Sequence, residues 1–152
     1  MKLAKLFFIL FLPFTVYSQL VGKVVSIADG DTFTMLVDNQ QIKIRLHGID
    51  CPEKKQDFGQ VAKEFLAGSV FGKVVTVQVK NKDRYGRTVG IVTIDGVNIN
   101  EKLLKEGLAW HYKTYDKNPK WAKLEMDARK NKRGLWIQPK VIAPWDYRKG
   151  VR

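Results

Sequence analysis

The stretch Phe33-Thr34-Met35-Leu36-Val37-Asp38-Asn39-Gln40-Gln41-Ile42-Lys43-Ile44-Arg45-Leu46 decides the fold. Phe33, Met35 and Val37 recur at every second position, and Ile42, Ile44 and Leu46 do the same on the return, so each run puts its apolar set on one strand face. Asp38-Asn39 between them is a hairpin signal. On the N-terminal side, Val21 to Ile27 is rich in β-branched residues and is closed by Asp29-Gly30-Asp31, a turn. On the C-terminal side, Val74 to Val79 and Val89 to Ile94 read as two more strands, the last ending at Asp95-Gly96.

Three helices accompany these strands. One is expected from Asp57, with Gln60 as capping-box partner, to Gly68. A second runs from Asn98, with Glu101 in the same relation, to Gly107. A third starts at Asn118-Pro119, carries an apolar stripe of Trp121, Leu124 and Ala128, and is expected to stop at Gly134. Five strands with a helix between the third and fourth is the order of elements in an OB-fold. The expected class is therefore α+β, mainly β barrel: a five-stranded OB-fold barrel with three helices. Barrels of this kind bind oligonucleotides across one exposed face.

At 152 residues the chain suits one domain with a real core, and its 45% apolar content excludes global disorder. Lys and Arg number 27 against 15 Asp and Glu, spread from end to end, a balance that favours a polyanionic partner. Lys2 and Lys5 precede the apolar run Leu6 to Leu12, and Ser18 offers a small residue for cleavage. That is the pattern of a signal peptide over residues 1–18, and the run is too short for a comfortable membrane span of about 20 residues. A bacterial protein secreted or sent to the periplasm is expected. A single cysteine, Cys51, excludes an intrachain disulfide. The mature domain is expected over residues 19–137, followed by a basic C-terminal tail over 138–152, read as an irregular strap because of Pro139 and Pro144.

The chemistry is concentrated around Arg45-Leu46-His47-Gly48-Ile49-Asp50-Cys51-Pro52-Glu53. Strand alternation puts Arg45 on the face away from the core, a few residues before two carboxylates. Pro52 stiffens the turn and can present Asp50, a backbone carbonyl and Glu53 to one point, and hard oxygen donors suit calcium or magnesium rather than zinc. Asp31 adds a second acidic turn, though an Asp beside Gly is more often a simple turn residue. Asp83-Arg84-Tyr85-Gly86-Arg87 brings cationic and aromatic groups into a tight turn, suited to phosphate contact and base stacking. Each of these has a bland reading as solvated surface. His47 and His111 lack a nucleophile to serve, so His47 reads as a bystander. There is no Gly-rich phosphate loop and no Cys/His zinc spacing.

Taken together and in order, Asp-Gly-Asp-Thr at 29–32, Arg45 five before Asp50-Cys51-Pro52-Glu53, and Asp83-Arg84-Tyr85-Gly86-Arg87 resemble the thermonuclease, or staphylococcal nuclease-like, family. Asn100-Glu101, Glu106-Gly107-Leu108-Ala109 and Leu135-Trp136 extend the resemblance over about Val21 to Trp136. It implies that Asp31 and Asp50 bind Ca2+ with the main-chain carbonyl of Cys51. It also implies that Glu53 is general base for the attacking water, that Arg45 and Arg87 hold the scissile phosphate, and that Tyr85 contacts the nucleotide. Arg84 and Tyr115 are added as substrate contacts; Trp110 to Tyr115 falls where the family has two nucleotide-contacting tyrosines, in a shifted register. Cys51 stands where one member of the family has threonine, and the loop Lys54 to Phe58 looks shorter than in that member.

The resulting expectation is an exported, monomeric, calcium-dependent phosphodiesterase acting on DNA and/or RNA, with no stable membrane association once the signal is removed. A non-catalytic nucleic-acid-binding OB module competes with it, but such modules typically lose the carboxylates or arginines, and all five positions are present here. A basic adhesion protein would explain the charge and not the constellation.

Overall fold

The computed structural model describes residues 18–151; the signal-peptide expectation, apart from Ser18, lies outside the described residues. Five strands close a barrel: β1 (Gln19–Asp29), β2 (Thr32–Val37), β3 (Gln40–Leu46), β5 (Val74–Lys82) and β6 (Thr88–Ile94). The two-residue strand β4 (Ile49–Asp50) pairs with β8 (Trp110–His111), and β7 (Val97–Asn98) extends the sheet edge beside β6. Long β1 serves two partners, pairing its first half with β5 and its second half with β2. The barrel shuts where β3 runs parallel to β6, with Ile44 opposite Thr88 and Leu46 opposite Gly90. This is the expected OB-fold barrel.

The decisive hairpin forms as its sequence dictates. Asp38 and Asn39 both adopt left-handed backbone, at φ 49° and 62°, as a two-residue turn matched to strand twist requires. Phe33, Met35, Ile44 and Leu46 are fully buried inside the barrel with Val24, Val75, Val77 and Val92. Helix α1 (Gly59–Val70) plugs the barrel with Ala62, Leu66 and Val70, and α2 (Ile99–Lys105) adds Leu103 and Leu104. From α3 (Pro119–Lys130), Trp121 completes this core. No helix among the described residues is long and apolar enough to cross a membrane.

Helix boundaries differ from expectation in two places. Helix α1 begins at Gly59, after Phe58 at φ 66°, with no side-chain cap. Asp57 instead accepts from Gln138, and Gln60 bonds Glu64, so the anticipated capping box is not made. The helix also runs past Gly68, which keeps helical backbone, and ends at Val70 before Gly72 turns left-handed at φ 73°. Helix α3 ends at Lys130, where Asn131 Nδ2 donates to the Asp127 carbonyl and Lys132 turns left-handed at φ 50°. Gly134 opens a short 3₁₀ turn, η1 (Gly134–Ile137), instead of closing α3. Helix α2 starts as read, with Asn98 Oδ1 accepting from the Glu101 amide at 3.0 Å. The C-terminal strap is not irregular throughout: Pro144–Tyr147 form helix α4, packed on the domain through buried Ala143 and Pro144.

Candidate active site

Register on β2 and β3 sets Thr32 opposite Arg45, so the turn before β2 delivers Asp31 beside the Arg45 side chain. Arg45 Nη2 lies 3.1 Å from Asp31 Oδ2 and 2.8 Å from Asp50 Oδ1. Its Nη1 donates to the carbonyls of Leu46 and Ile49 at 2.7 and 2.9 Å. One guanidinium thus winds the 46–50 turn around itself and gathers two carboxylates that would otherwise repel. The arginine side chain is 14% exposed and that of Asp50 only 3%. Burial alone would lower the Arg45 pKa, but the Asp31 and Asp50 charges outweigh it and hold the guanidinium charged. Burial pushes the Asp50 carboxyl up, against the pull of its arginine partners. Asp29, at the end of β1, is raised from 3.8 to about 6, first by burial and then by the neighbouring charge of Asp31.

Glu53 sits on a loop wound more tightly than its sequence suggests. Its amide donates to Gln56 Oε1, its carbonyl accepts from the Gln56 amide, and Gly59 packs on that carbonyl so closely that an added Cβ would lie 2.1 Å from the oxygen. Across the groove, Asp83 Oδ1 accepts from the amides of Tyr85 and Arg87, and Oδ2 accepts from Arg87 Nε at 2.7 Å. Arg87 Nη1 is 3.5 Å from Thr32 Oγ1, which donates to Asp31 Oδ1, so the hairpin tip is linked to the acidic floor. Arg84 donates to the Tyr85 hydroxyl and stands over its ring, and Tyr85 is 68% exposed. A third wall is aromatic: Tyr115, exposed, meets the edge of Tyr112, which stacks on Trp145 at 4.9 Å.

The open groove measures about 910 Å³ and is lined by every residue to which the sequence assigned a site role: Asp31, Arg45, Asp50, Cys51, Glu53, Arg84, Tyr85, Arg87 and Tyr115. Cys51 enters it through the backbone. Its side chain is buried, its thiol is pushed well up by that burial, and its amide donates to Asp31 Oδ2 at 2.8 Å. His47 also reaches the groove wall, but its Nε2 faces Asp116, which His111 shares, and burial holds its pKa below the usual imidazole range. Tyr112 falls in the aromatic stretch that the resemblance marks for nucleotide contact, although Tyr115 alone is singled out there. Two participants escaped the sequence reading: Asp29 looked like turn punctuation, and Arg148 lay in the expected tail. Arg148 bonds both Asp50 and Glu53; only its charge within a Pro-containing segment could have flagged it.

Among the described residues no three His, Cys, Asp or Glu side chains converge into a ready cation cage. The donor set nonetheless fits a hard cation that keeps part of its shell as water and phosphate oxygen. Asp31 and Asp50 are buried oxygen donors on one floor, and a cation there would share them with Arg45 and Arg148.

Residues 43–138 match the family model described as staphylococcal nuclease homologue. "Protein ParB" of Escherichia coli is 40% identical over 144 residues, 88% of this chain and 81% of that protein. An "uncharacterized endonuclease" of Escherichia coli O157:H7 is 41% identical over 128 residues, 84% of each chain. A "micrococcal nuclease" of Shigella flexneri is 39% identical over 142 residues, 86% of this chain and 82% of that one. With the barrel, the groove and a match over more than half its length, this chain belongs to the staphylococcal nuclease family.

Proposed function

We propose that the chain is an exported, calcium-dependent nuclease that hydrolyses phosphodiester bonds in DNA, RNA or both. Its family, and relatives named endonuclease and micrococcal nuclease, make it a nuclease and hence a hydrolase. The observation that carries the finer reading is Arg45 holding Asp31 and Asp50 together on the floor of a groove whose walls bear Glu53 and Arg87.

Hydrolysis builds negative charge on the phosphoryl oxygens, and prearranged cations stabilise it without reorganising. Arg87 supplies such a cation: Asp83 fixes its Nε edge and leaves the Nη edge for phosphate. Arg45 contributes its charge and its Nε, because its two Nη groups already serve four acceptors. Calcium, when bound by Asp31, Asp50 and the Cys51 carbonyl, adds Lewis-acid polarisation of the phosphate. Glu53 accepts the proton of the attacking water as general base. Tyr85, Arg84 and Tyr115 offer rings and a guanidinium along the groove for stacking on flanking nucleotides. The overall positive charge draws in the polyanion, with the salt dependence that counterion release brings. The competing OB module without catalysis is disfavoured because all five acidic and arginine positions line one groove.

The test is cleavage of single-stranded DNA by purified residues 19–152 with calcium and with chelator. Calcium should also raise the unfolding midpoint, and Asp50→Asn should abolish that rise. Cleavage that persists in chelator would sink the metal claim, whereas folded protein that cuts neither DNA nor RNA would sink the catalytic one. Export predicts a mature product starting at Gln19, and a monomer predicts a single-chain mass in solution.

A further inference from the structure

We propose that Arg148 is a positioning residue of the active site, and that the C-terminal strap from Gln138 to Arg148 exists to deliver it. It fixes the Glu53 carboxylate against Asp50. The inference rests on the reading of Glu53 as the base.

Arg148 Nη1 lies 2.5 Å from Glu53 Oε1 and 3.4 Å from Asp50 Oδ1, while Nη2 lies 2.8 Å from Asp50 Oδ2. One planar fork therefore spans both carboxylates, a geometry that an ammonium cannot reproduce. Among the described residues, Arg148 is the side chain that bonds the Glu53 carboxylate. Without it a 37% exposed glutamate at a groove wall would sample several rotamers. A base aimed at one water must be held within about 1 Å, since misplacement of that order costs on the order of 10²-fold in rate.

An exposed ion pair taken alone carries little weight. Here the arginine arrives on an anchored segment. Gln138 Nε2 donates to Asp57 Oδ2 at 2.8 Å, and Gln56 Nε2 donates to the Ile142 carbonyl at 3.0 Å. Ala143 and Pro144 are buried, and Trp145 lies parallel to the Tyr112 ring and edge-on to Trp110. The two hydrogen bonds grip the 53–58 loop, and the Trp145 contacts grip the aromatic wall. The strap thus holds the loop that carries Glu53 at one end and its carboxylate at the other. The family model ends at residue 138, so this arrangement lies beyond the part of the chain that the model covers.

The experiment is a double-mutant cycle on the mature full-length chain, with Arg148→Ala, Glu53→Gln and the pair, reading kcat and KM on single-stranded DNA. Arg148→Met runs in parallel, because it keeps the aliphatic stem should the alanine variant loosen the strap. Expected is a fall in kcat of about tenfold or more for Arg148→Ala and Arg148→Met, with KM within about twofold. The pair should be no slower than Glu53→Gln alone, and added guanidinium ion should restore part of the Arg148→Ala rate. A folded Arg148→Met variant with wild-type kcat, alongside a slow Glu53→Gln, overturns the inference and leaves the Glu53 reading standing. Multiplying effects in the pair overturn it as well, since Arg148 would then act apart from Glu53. A Glu53→Gln variant as fast as wild type removes the base reading and this inference with it.

Discussion

The backbone amide of Cys51 donates to Asp31 Oδ2 across 2.8 Å, joining two turns that are twenty residues apart in the chain. That bond requires the turns to pack without a side chain between them, and Gly30 provides the room. A Cβ on Gly30 would lie 2.7 Å from the Ala62 Cβ and 2.9 Å from the Cys51 Cβ. Neither neighbour is a flexible tip, so the turn itself must shift. Gly30→Ala should destabilise the fold by about 1–3 kcal/mol in urea unfolding, as overpacking does. The same shift should pull Asp31 from the Cys51 amide and cut the cleavage rate roughly tenfold or more. Unchanged stability and rate would show that the turn relaxes without cost.

Two arginines of the groove should fail in different ways. Arg45→Ala takes from buried Asp31 its ionic partner, leaves Asp50 with Arg148 alone and strands two carbonyls, a loss on the order of 3–5 kcal/mol for a broken buried pair. Arg87 has a 27% exposed side chain and bonds Asp83 on a surface hairpin, so Arg87→Ala should change stability by less than about 1 kcal/mol. Its effect should fall on turnover instead, by roughly 10²-fold or more. Denaturant unfolding and initial rates on the same preparations separate the two. A destabilised Arg87→Ala, or a fully stable Arg45→Ala, would contradict the division.

What the sequence made legible was whatever depends on short-range periodicity and turn chemistry. Phe33, Met35, Ile44 and Leu46 announced their burial by alternation, and Asp38-Asn39 announced its left-handed turn. Arg45 was correctly turned from the core, yet the depth of its burial came from a turn wrapping around it, which alternation cannot show. The α1 boundary was misplaced because Glu53, Gln56 and Gly59 form a local winding that pre-empts the Asp57 capping box. Arg148 was missed for a longer-range reason. Its partners lie 95 and 98 residues away, and no local pattern encodes a contact at that separation.

The hairpin tip offers a prediction about binding rather than rate. Tyr85 is 68% exposed and held by cation contacts with Arg84 and Arg87, so its ring is presented to the groove at little ordering cost. Base stacking on such a ring is worth about 1–3 kcal/mol. Tyr85→Ala should therefore raise KM on single-stranded DNA by roughly 5- to 100-fold while kcat changes little, and Tyr85→Phe should retain most of the affinity. A kcat effect without a KM effect would move Tyr85 from stacking to the chemical step.

Asp29 makes stability fall with rising pH. Its carboxyl titrates at about 6 in the folded chain against 3.8 for the unperturbed group, because burial and the adjacent Asp31 disfavour its charge. Between those values the folded state holds a proton that the unfolded state has released. The contribution is thus fully present below pH 3.8 and is lost as the pH rises through about 6. Partial exposure screens the effect, leaving about 1–2 kcal/mol. Asp29→Asn removes the ionisation, so in chelator the variant should be more stable than wild type at pH 7.5 by that margin. The two should draw together as the pH falls below 3.8, where wild-type Asp29 is mostly protonated in both states. Urea unfolding of both proteins across this range is the measurement. Parallel stability curves would mean that Asp29 ionises in the fold as readily as in water.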